Sequence, residues 1–118
     1  FDHGVGDPVE GQIAILPEAR VVICEGNYLM LDAPVWEELA APGVFDERWF
    51  VRAPVDECCA RVRARQLAVG RPKEVAVAKT SVGGSDWLNA TLVASDGCED
   101  RADVVVVSRP FEGGVPRA

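Results

Sequence analysis

The sequence has little of what several common kinds of functional site require. It contains a single histidine, His3, and its four cysteines form no C-x-x-C pair, so the usual zinc patterns are missing and a Ser-His-Asp triad would depend on His3 alone. No apolar run approaches the roughly 18 to 20 residues of a membrane-spanning helix, and no basic segment followed by an apolar run opens the chain. We therefore expect a soluble protein that neither spans a membrane nor is secreted.

Positive charge is also scarce. The chain has 12 Lys and Arg against 19 Asp and Glu, which gives a formal net charge of -7. Because a nucleic-acid surface needs clustered basic residues, we expect no nucleic-acid partner. Half of the basic residues nevertheless fall in one segment: Arg61, Arg63, Arg65, Arg71, Lys73 and Lys79. This segment is either a local anion site or a solvated helix face.

The cysteines are placed like core-filling thiols. Cys24 lies in an apolar run, Cys58 and Cys59 are adjacent, and Cys98 stands alone. Free cysteines of this kind behave as small apolar residues, and they are typical of proteins that stay in a reducing compartment. The pattern favours a cytoplasmic location.

The length of 118 residues and the hydrophobic fraction of 48% suit one ordinary domain, or part of one. The chain opens on Phe1, and its only methionine is Met30. We expect either a processed protein or a piece of a larger one.

Three segments have the character of strands. Residues 21–24 and 104–107 are continuous apolar runs rich in β-branched side chains, which is typical of strands buried on both faces, and residues 49–51 are a shorter third candidate. Helical stretches separate these segments. Strands joined by helical crossovers predict parallel pairing and an α/β fold.

The strongest helix signal starts at Pro54. Proline suits a first helical turn, Asp56 and Glu57 are acids near the start, and Gly70 is a stop, so we predict about four turns. An apolar stripe supports this helix: Val55, Cys58, Cys59 and Val62.

Two further helices have weaker signals. Ser85 is a good N-cap for a helix whose buried side would carry Trp87, Leu88, Thr91 and Leu92. Residues 34–39 suggest a short third helix.

A candidate for chemistry follows the first predicted strand. In open α/β sheets ligands gather at the carboxyl ends of the strands, where Glu25, Gly26 and Asn27 lie. A carboxylate in this position can order a magnesium ion or its waters, and glycine lets the backbone approach a nucleotide. The alternative is an ordinary turn, because Gly26 and Asn27 are both turn formers.

Several blocks together resemble a known family. They are VVICEGNYLMLD with FDH and GDPV before it, FDERWFV after it, RVRARQLAVGR, and SDWLNATLV followed by ADVVVVS. The chain resembles the uridine kinase, pantothenate kinase and phosphoribulokinase group of P-loop kinases, and within that group the fructokinase-like branch often labelled nucleoside triphosphate hydrolase. The resemblance covers about residues 1–108, with the lid near residues 61–84 and a flexible tail over residues 109–118.

The resemblance implies a P-loop NTPase-type parallel sheet with flanking helices. It also implies ATP and Mg²⁺ as cofactors, and phosphoryl transfer to a hydroxyl of a small metabolite. Glu25 with Gly26 matches the strand end beside the magnesium and the phosphates. Arg61 and Arg65, one helical turn apart, match the helix that enters the lid and stabilises charge on the transferring phosphoryl group.

Other matches concern the lid and the acceptor. Arg71 and Lys79 fall in the lid, and Lys79 stands where an arginine is common; lysine keeps the charge and loses the bidentate fork. The residues matching the acceptor side are Asp2, His3 and Asp7 near the start of the chain, and Asn89 with Asp86. The chain has Arg65-Gln66 where the branch usually has Arg-His, and Ser85-Asp86 where it has Asn-Asp.

The sequence has no G-x-x-x-x-G-K-[ST], the loop that holds nucleotide phosphates in this family. In relatives this loop and the first strand precede the FDH segment, so we expect an incomplete sheet, with Phe1 as the cut edge of a longer kinase. The missing strand would lie between the strand ending at Glu25 and the strand near Phe50. By itself the chain would then be inactive.

The rival interpretation is a truncated, non-catalytic α/β module for binding or assembly. The quoted residues do not distinguish nucleoside, pantothenate, sugar and glycerate as the acceptor. They leave the catalytic base unidentified and a homodimer open.

Overall fold

The computed structural model describes residues 11, 14–39 and 41–109; Asp2, His3, Asp7 and residues 110–118 of the tail lie outside this part. The elements of the described part, in chain order, are strand β1 (Trp49–Arg52), helix α1 (Val55–Ala68), helix α2 (Lys73–Thr80), helix α3 (Ser85–Ser95), a 3₁₀ helix (Cys98–Arg101) and strand β2 (Val104–Val107).

The two strands pair in parallel, with Trp49 opposite Val104 and Arg52 opposite Val107. The helices between them form the crossover that a parallel pair requires. The predicted α/β class and the parallel pairing of these strands are therefore confirmed. Burial of β2 on both faces was the wrong expectation, because residues 105–107 are exposed and β1 is the strand's only neighbour in the described part.

The predicted strand over residues 21–24 is also wrong. The segment forms no strand, and its side chains are open to solvent, with Val21 80% and Ile23 88% exposed. A strand needs a neighbour for its backbone donors and acceptors, and no described residue pairs with this segment. A cavity of about 390 Å³, here called the β1-edge cavity, separates it from β1. β-branched composition alone does not make a strand without that partner.

Helix α1 follows its sequence signals. Pro54 is the N-cap, Asp56 and Glu57 occupy the first turn, and the chain leaves the helix through Gly70 at a φ of 82°. A left-handed conformation of this kind is easy for glycine and costly for other residues. The predicted apolar stripe is confirmed, since Cys59 is buried and its companions on the stripe are half-buried.

Helix α3 is confirmed, and its predicted inner face is confirmed in part, because Trp87 and Thr91 are half-buried while the two leucines are not. Leu88 is 52% and Leu92 46% exposed, and Gly84 rather than Ser85 is the N-cap. The side of α3 that lines a cavity shared with α1 carries Asn89 and Val93, each of which lies one position, or about 100° around the helix, from an exposed leucine. Packing against α1 and α2 sets the rotation of α3 about its axis, and the most apolar side of the helix does not.

The short helix expected over residues 34–39 is a run of turns. Backbone bonds from Trp36 N to Ala33 O and from Leu39 N to Trp36 O bridge single turns. Val35 has a φ of 80°, which interrupts any right-handed helix. Helix α2 has no counterpart among the sequence predictions, although Pro72 as its N-cap is a start signal.

Hydrogen bonds and an ion pair around Arg101 connect the loop of residues 27–32 to the end of α3. Arg101 donates from Nε to the Met30 carbonyl oxygen at 2.8 Å and from Nη2 to the Asp96 carbonyl oxygen at 3.0 Å, and it pairs with the Asp96 carboxylate. The backbone N–H of Asp32 donates to the same carboxylate at 3.0 Å. This N–H, together with the Arg101 guanidinium, lowers the pKa of Asp96 from its ordinary value of 3.8.

We expect this carboxylate to make stability depend on pH. Its pKa is lower in the folded chain than in the unfolded chain, so its contribution is complete above the unfolded value and is lost as the pH falls through the folded value. The melting temperature of the chain should drop below about pH 4, and Asp96→Asn should weaken that dependence. Thermal unfolding followed by circular dichroism measures both. Asp100→Asn, an exposed change on the adjoining 3₁₀ helix, is the control, and an unchanged pH profile for Asp96→Asn would contradict the assignment.

Gly84 marks a close approach between the end of α2 and the start of α3. A Cβ at this position would lie 2.6 Å from the Lys79 carbonyl carbon, and closer still to the carbonyl oxygens of Ala78 and Lys79. Gly84→Ala should therefore lower the free energy of unfolding by about 1–3 kcal/mol, as overpacking does. Urea denaturation measures the loss. Ser85→Ala, at the next and exposed position, should change it by less than about 0.5 kcal/mol; equal effects of the two substitutions would refute the steric account.

Candidate functional site

A cavity of about 460 Å³ lies between α1 and α3, and we call it the α1–α3 cavity. Its apolar wall includes Phe50 of β1 and Val93 of α3. Its polar lining comprises Asn27, Arg61, Arg65, Gln66, Asp86 and Asn89. A mainly apolar pocket with a few convergent polar groups is the usual form of a small-molecule site.

The three arginines of α1 separate by helix face. Arg61 and Arg65 line the α1–α3 cavity, whereas Arg63 lines another cavity, between α1 and the end of α2. Arg63 donates from Nε to Thr80 Oγ1 at 2.8 Å, and the Thr80 side chain is buried. Residues four apart on a helix share a face, and the residue midway between them points away. Arg63 therefore serves the packing of α1 against α2.

Arg61 and Arg65 differ in how firmly they are held. Arg61 donates to Glu57 Oε1 at 2.6 Å and to Ser108 Oγ, just after β2, at 2.7 Å. Arg65 is exposed, and within residues 14–39 and 41–109 its guanidinium has no hydrogen bond or ion pair. One arginine is thus fixed beside the strand ends, and the other is available to an anion in the cavity.

The α3 side of the cavity is also organised by hydrogen bonds. The Tyr28 hydroxyl donates to Asn89 Oδ1 at 2.6 Å, and the Tyr28 ring meets Trp36 edge to face with centroids 5.5 Å apart. The bond engages the amide oxygen of Asn89, and its NH₂ group remains able to donate. No role for Tyr28 was predicted from the sequence, although the residue lies in the EGNYL block, the most specific part of the resemblance.

Gln66 and Asp86 connect the two helices at the cavity wall. Gln66 Nε2 donates to Asp86 Oδ2 at 2.8 Å. In the sequence Gln66 was visible only as a departure from the Arg-His pair of the similar kinases. The structure gives this side chain a partner on α3 and a place in the cavity lining.

Glu25 lies apart from the arginines. It is exposed and lines the β1-edge cavity, where Glu47 is the other carboxylate. Asn27 lines both cavities, so the two adjoin. Of the matched lid residues, Arg71 is exposed beyond α1 and Lys79 is in the last turn of α2, and neither lines the α1–α3 cavity.

The donor set bears on how magnesium would be held. The described residues contain no group of three or more His, Cys, Asp or Glu side chains that could surround a metal ion. Magnesium in phosphoryl-transfer sites is usually held by one or two carboxylates together with water and substrate phosphates. Glu25, alone or with Glu47, fits that kind of site and not a cage of protein ligands.

The cysteines only partly fill a core. Cys98 and Cys59 are buried, and burial raises the pKa of each thiol, which keeps it protonated and unreactive near neutral pH. Cys24 is exposed, so the core prediction is wrong for it, for the same reason that residues 21–24 form no strand. All four are free thiols.

Several known proteins that resemble the chain carry kinase names. It is 39% identical over 90 residues to ATP-dependent kinase-like protein notR' of Aspergillus versicolor, a match covering 76% of this chain and 51% of that protein. It is 37% identical over 97 residues to putative uridine kinase C227.14 of Schizosaccharomyces pombe, covering 79% and 39%. To ATP-dependent kinase YFH7 of Lachancea thermotolerans it is 29% identical over 112 residues, covering 92% and 32%.

These matches support a relation to kinases, but they do not extend over whole proteins. The chain spans about half or less of the length of these curated relatives. No family model matches the chain, and no solved structure does. Among the described residues, no helix has the length and apolar character to cross a bilayer.

The different roles of Arg63 and Arg65 can be tested by measuring the free energy of unfolding of variants. Arg63→Ala should lower the free energy of unfolding by about 1–3 kcal/mol, because it removes a charge-assisted bond to the buried Thr80 hydroxyl. Arg65→Ala should change it by no more than about 0.5 kcal/mol, as ordinary surface substitutions do. Chemical denaturation of the two variants measures the difference. Equal losses would show that Arg65 also has a structural task.

Proposed function

We propose that the chain is the acceptor-binding and charge-stabilising part of an ATP-dependent kinase. In the longer protein, the γ-phosphoryl group of ATP would pass to a hydroxyl of a small metabolite, on a sheet of the P-loop NTPase type. The observation that carries the proposal is the α1–α3 cavity, in which Arg61 and Arg65 line one side and Asn89 and Asp86 the other. The kinase names of the relatives support it.

The two arginines suit the transferring phosphoryl group. A guanidinium presents a planar fork of donors that matches phosphate oxygens. Arg61, held by Glu57 and Ser108, contributes a preorganised charge that does not have to move when negative charge develops. Arg65, one turn further along α1, contributes donors that are not yet engaged.

The acceptor would bind on the α3 side. Asn89 is oriented by Tyr28 and Asp86 by Gln66, so both side chains present fixed groups to a ligand. Asp2, His3 and Asp7 are proposed to add to this side, and Arg71 and Lys79 to the lid, on the resemblance alone.

Glu25 is the residue that would hold magnesium, either directly or through a water molecule. Bound there, the ion would neutralise charge on the nucleotide's phosphates. The acidic net charge of -7 argues against a nucleic-acid substrate. We also propose a cytoplasmic location, because the four cysteines are free thiols.

A second candidate is an α/β module for binding or assembly. The observation favouring it is the apolar surface beside the β1-edge cavity, where Val21, Ile23, Trp49 and Val51 are all exposed. Exposed apolar surface of this kind often marks contact with another protein segment. Reading the coding DNA upstream of Phe1 separates the candidates: an in-frame G-x-x-x-x-G-K-[ST] supports the kinase, and its absence supports the module.

The kinase proposal predicts that the α1 substitution with little effect on stability has the larger effect on activity. In the protein encoded together with that upstream sequence, Arg65→Ala should lower kcat/KM for ATP-dependent phosphorylation by roughly 10²-fold or more, since it removes a group aimed at developing charge. Arg63→Ala, the matched control, should leave kcat/KM of the folded fraction nearly unchanged. A coupled assay of ADP release measures both. If both variants are equally active, the basic segment is a solvated helix face and the proposal fails.

A further inference from the structure

Strand β2 has one open edge in the described part of the chain. It pairs with β1 on one side, and none of the described residues forms a strand on its other side. The strand consists of four valines, of which Val105, Val106 and Val107 are exposed. An apolar edge that carries neither lysine nor proline pairs readily with another strand.

The bonds to β1 determine which backbone groups of β2 face this edge. Ser108 N donates to Arg52 O at 2.8 Å, and Val104 N likewise donates at 3.1 Å to a carbonyl oxygen on the β1 side. Alternate residues of a strand direct their backbone groups to the same neighbour, so the even-numbered residues face β1. The N–H and C=O groups of Val105 and Val107 therefore point to the open edge.

A second copy of β2 fits this edge in one antiparallel register. Residues that face each other across an antiparallel pair exchange both of their N–H···O bonds. When Val105 lies opposite Val107 of the second copy, two-fold symmetry repeats the pair, and four such bonds form. Within the four residues of β2, this is the one register in which both outward-facing residues are paired. Val106 then lies opposite its own symmetry mate, on the axis.

The residues that flank β2 have complementary charges in this register. Asp103, just before the strand, lies opposite Arg109 of the second copy, just after it, and both side chains are exposed. Arg109 makes no hydrogen bond or ion pair with the other described residues. The Asp103 carboxylate accepts from Arg48 N at 2.8 Å, and a carboxylate can accept further donors. Opposite charges directly across two strands stabilise their pairing.

We propose that the outer edge of β2 is a homodimer interface, at which the β2 strands of two copies pair antiparallel with Val106 on the two-fold axis. The sheets of the two copies then form one four-stranded sheet in the order β1-β2-β2-β1. Because the interface is short, the dimer is weak. The inference does not depend on the kinase proposal, since residues 103–109 do not line the α1–α3 cavity.

Sedimentation equilibrium of the 118-residue chain under reducing conditions measures this association. The dimer fraction should rise between about 10 and 500 µM, as expected for a small interface. Val107→Pro should leave the chain monomeric, because it removes an outward N–H, and proline is tolerated where an edge N–H points away from the sheet. Val107→Thr keeps that N–H and is the matched control. Monomers throughout this range, or a dimer that survives Val107→Pro, would overturn the proposal.

Cysteine cross-linking tests the register. In a Cys24→Ser background, which removes the exposed native thiol, Val106→Cys should form an intermolecular disulfide with oxidised glutathione, because Cα atoms opposite each other on the axis lie about 4.5 Å apart. Val105→Cys is the control, since its symmetry mate lies diagonally, beyond the roughly 7 Å that a disulfide can bridge. Equal cross-linking of the two variants would refute the register, and this comparison decides the matter if Val107→Pro does not fold.

Charge reversal tests the contact between Asp103 and Arg109. Arg109→Glu should raise the dissociation constant roughly fivefold or more, because two symmetry-related attractions become repulsions. Arg71→Glu makes the same change of net charge at an exposed position outside the strand, so it should have a much smaller effect. If the two variants weaken the dimer equally, net charge explains the loss and the pairing of Arg109 with Asp103 is wrong.

Discussion

The ion pair between Arg101 and Asp96 is the constraint on which the described site depends. Arg101 reaches back to the Met30 carbonyl oxygen, and the Asp96 carboxylate receives the Asp32 backbone N–H, so one pair of side chains closes a link between parts of the chain more than 60 residues apart. The Asn27–Asp32 loop has no strand to hold it in the described structure. Its position therefore depends on these bonds and on the burial of Leu31.

This anchoring carries through to the α1–α3 cavity. With the loop fixed at Met30 and Asp32, Tyr28 reaches the amide of Asn89. The same loop begins at Asn27, which lines both the α1–α3 cavity and the β1-edge cavity containing Glu25. The loop thus brings the most specific sequence block of the chain against α3, although that block is neither helix nor strand.

The sequence was informative wherever local signals decide the outcome. Helix α1 begins and ends at residues with strong preferences, Pro54 and Gly70, and the paired strands have the composition of a parallel sheet. The sequence was misleading where a neighbouring element decides whether a segment forms a strand or which side of a helix is buried. Residues 21–24 have strand composition but no strand beside them in the described part, and α3 leaves Leu88 and Leu92 exposed because its contacts with α1 and α2 fix its rotation. Of the candidate site, the shared face of Arg61 and Arg65 follows from helical spacing, whereas the bond from Gln66 to Asp86 depends on how α1 and α3 pack together.

The bonds of Arg61 have an evolutionary consequence. Its guanidinium is shared by Glu57, one turn earlier on the same helix, and by Ser108, which follows the far strand of the sheet. Replacement of Arg61 removes this partner from both Glu57 and Ser108, so the three positions are expected to change together in homologous chains. Arg65 has no such companions among the described residues, so its identity is expected to vary independently of theirs.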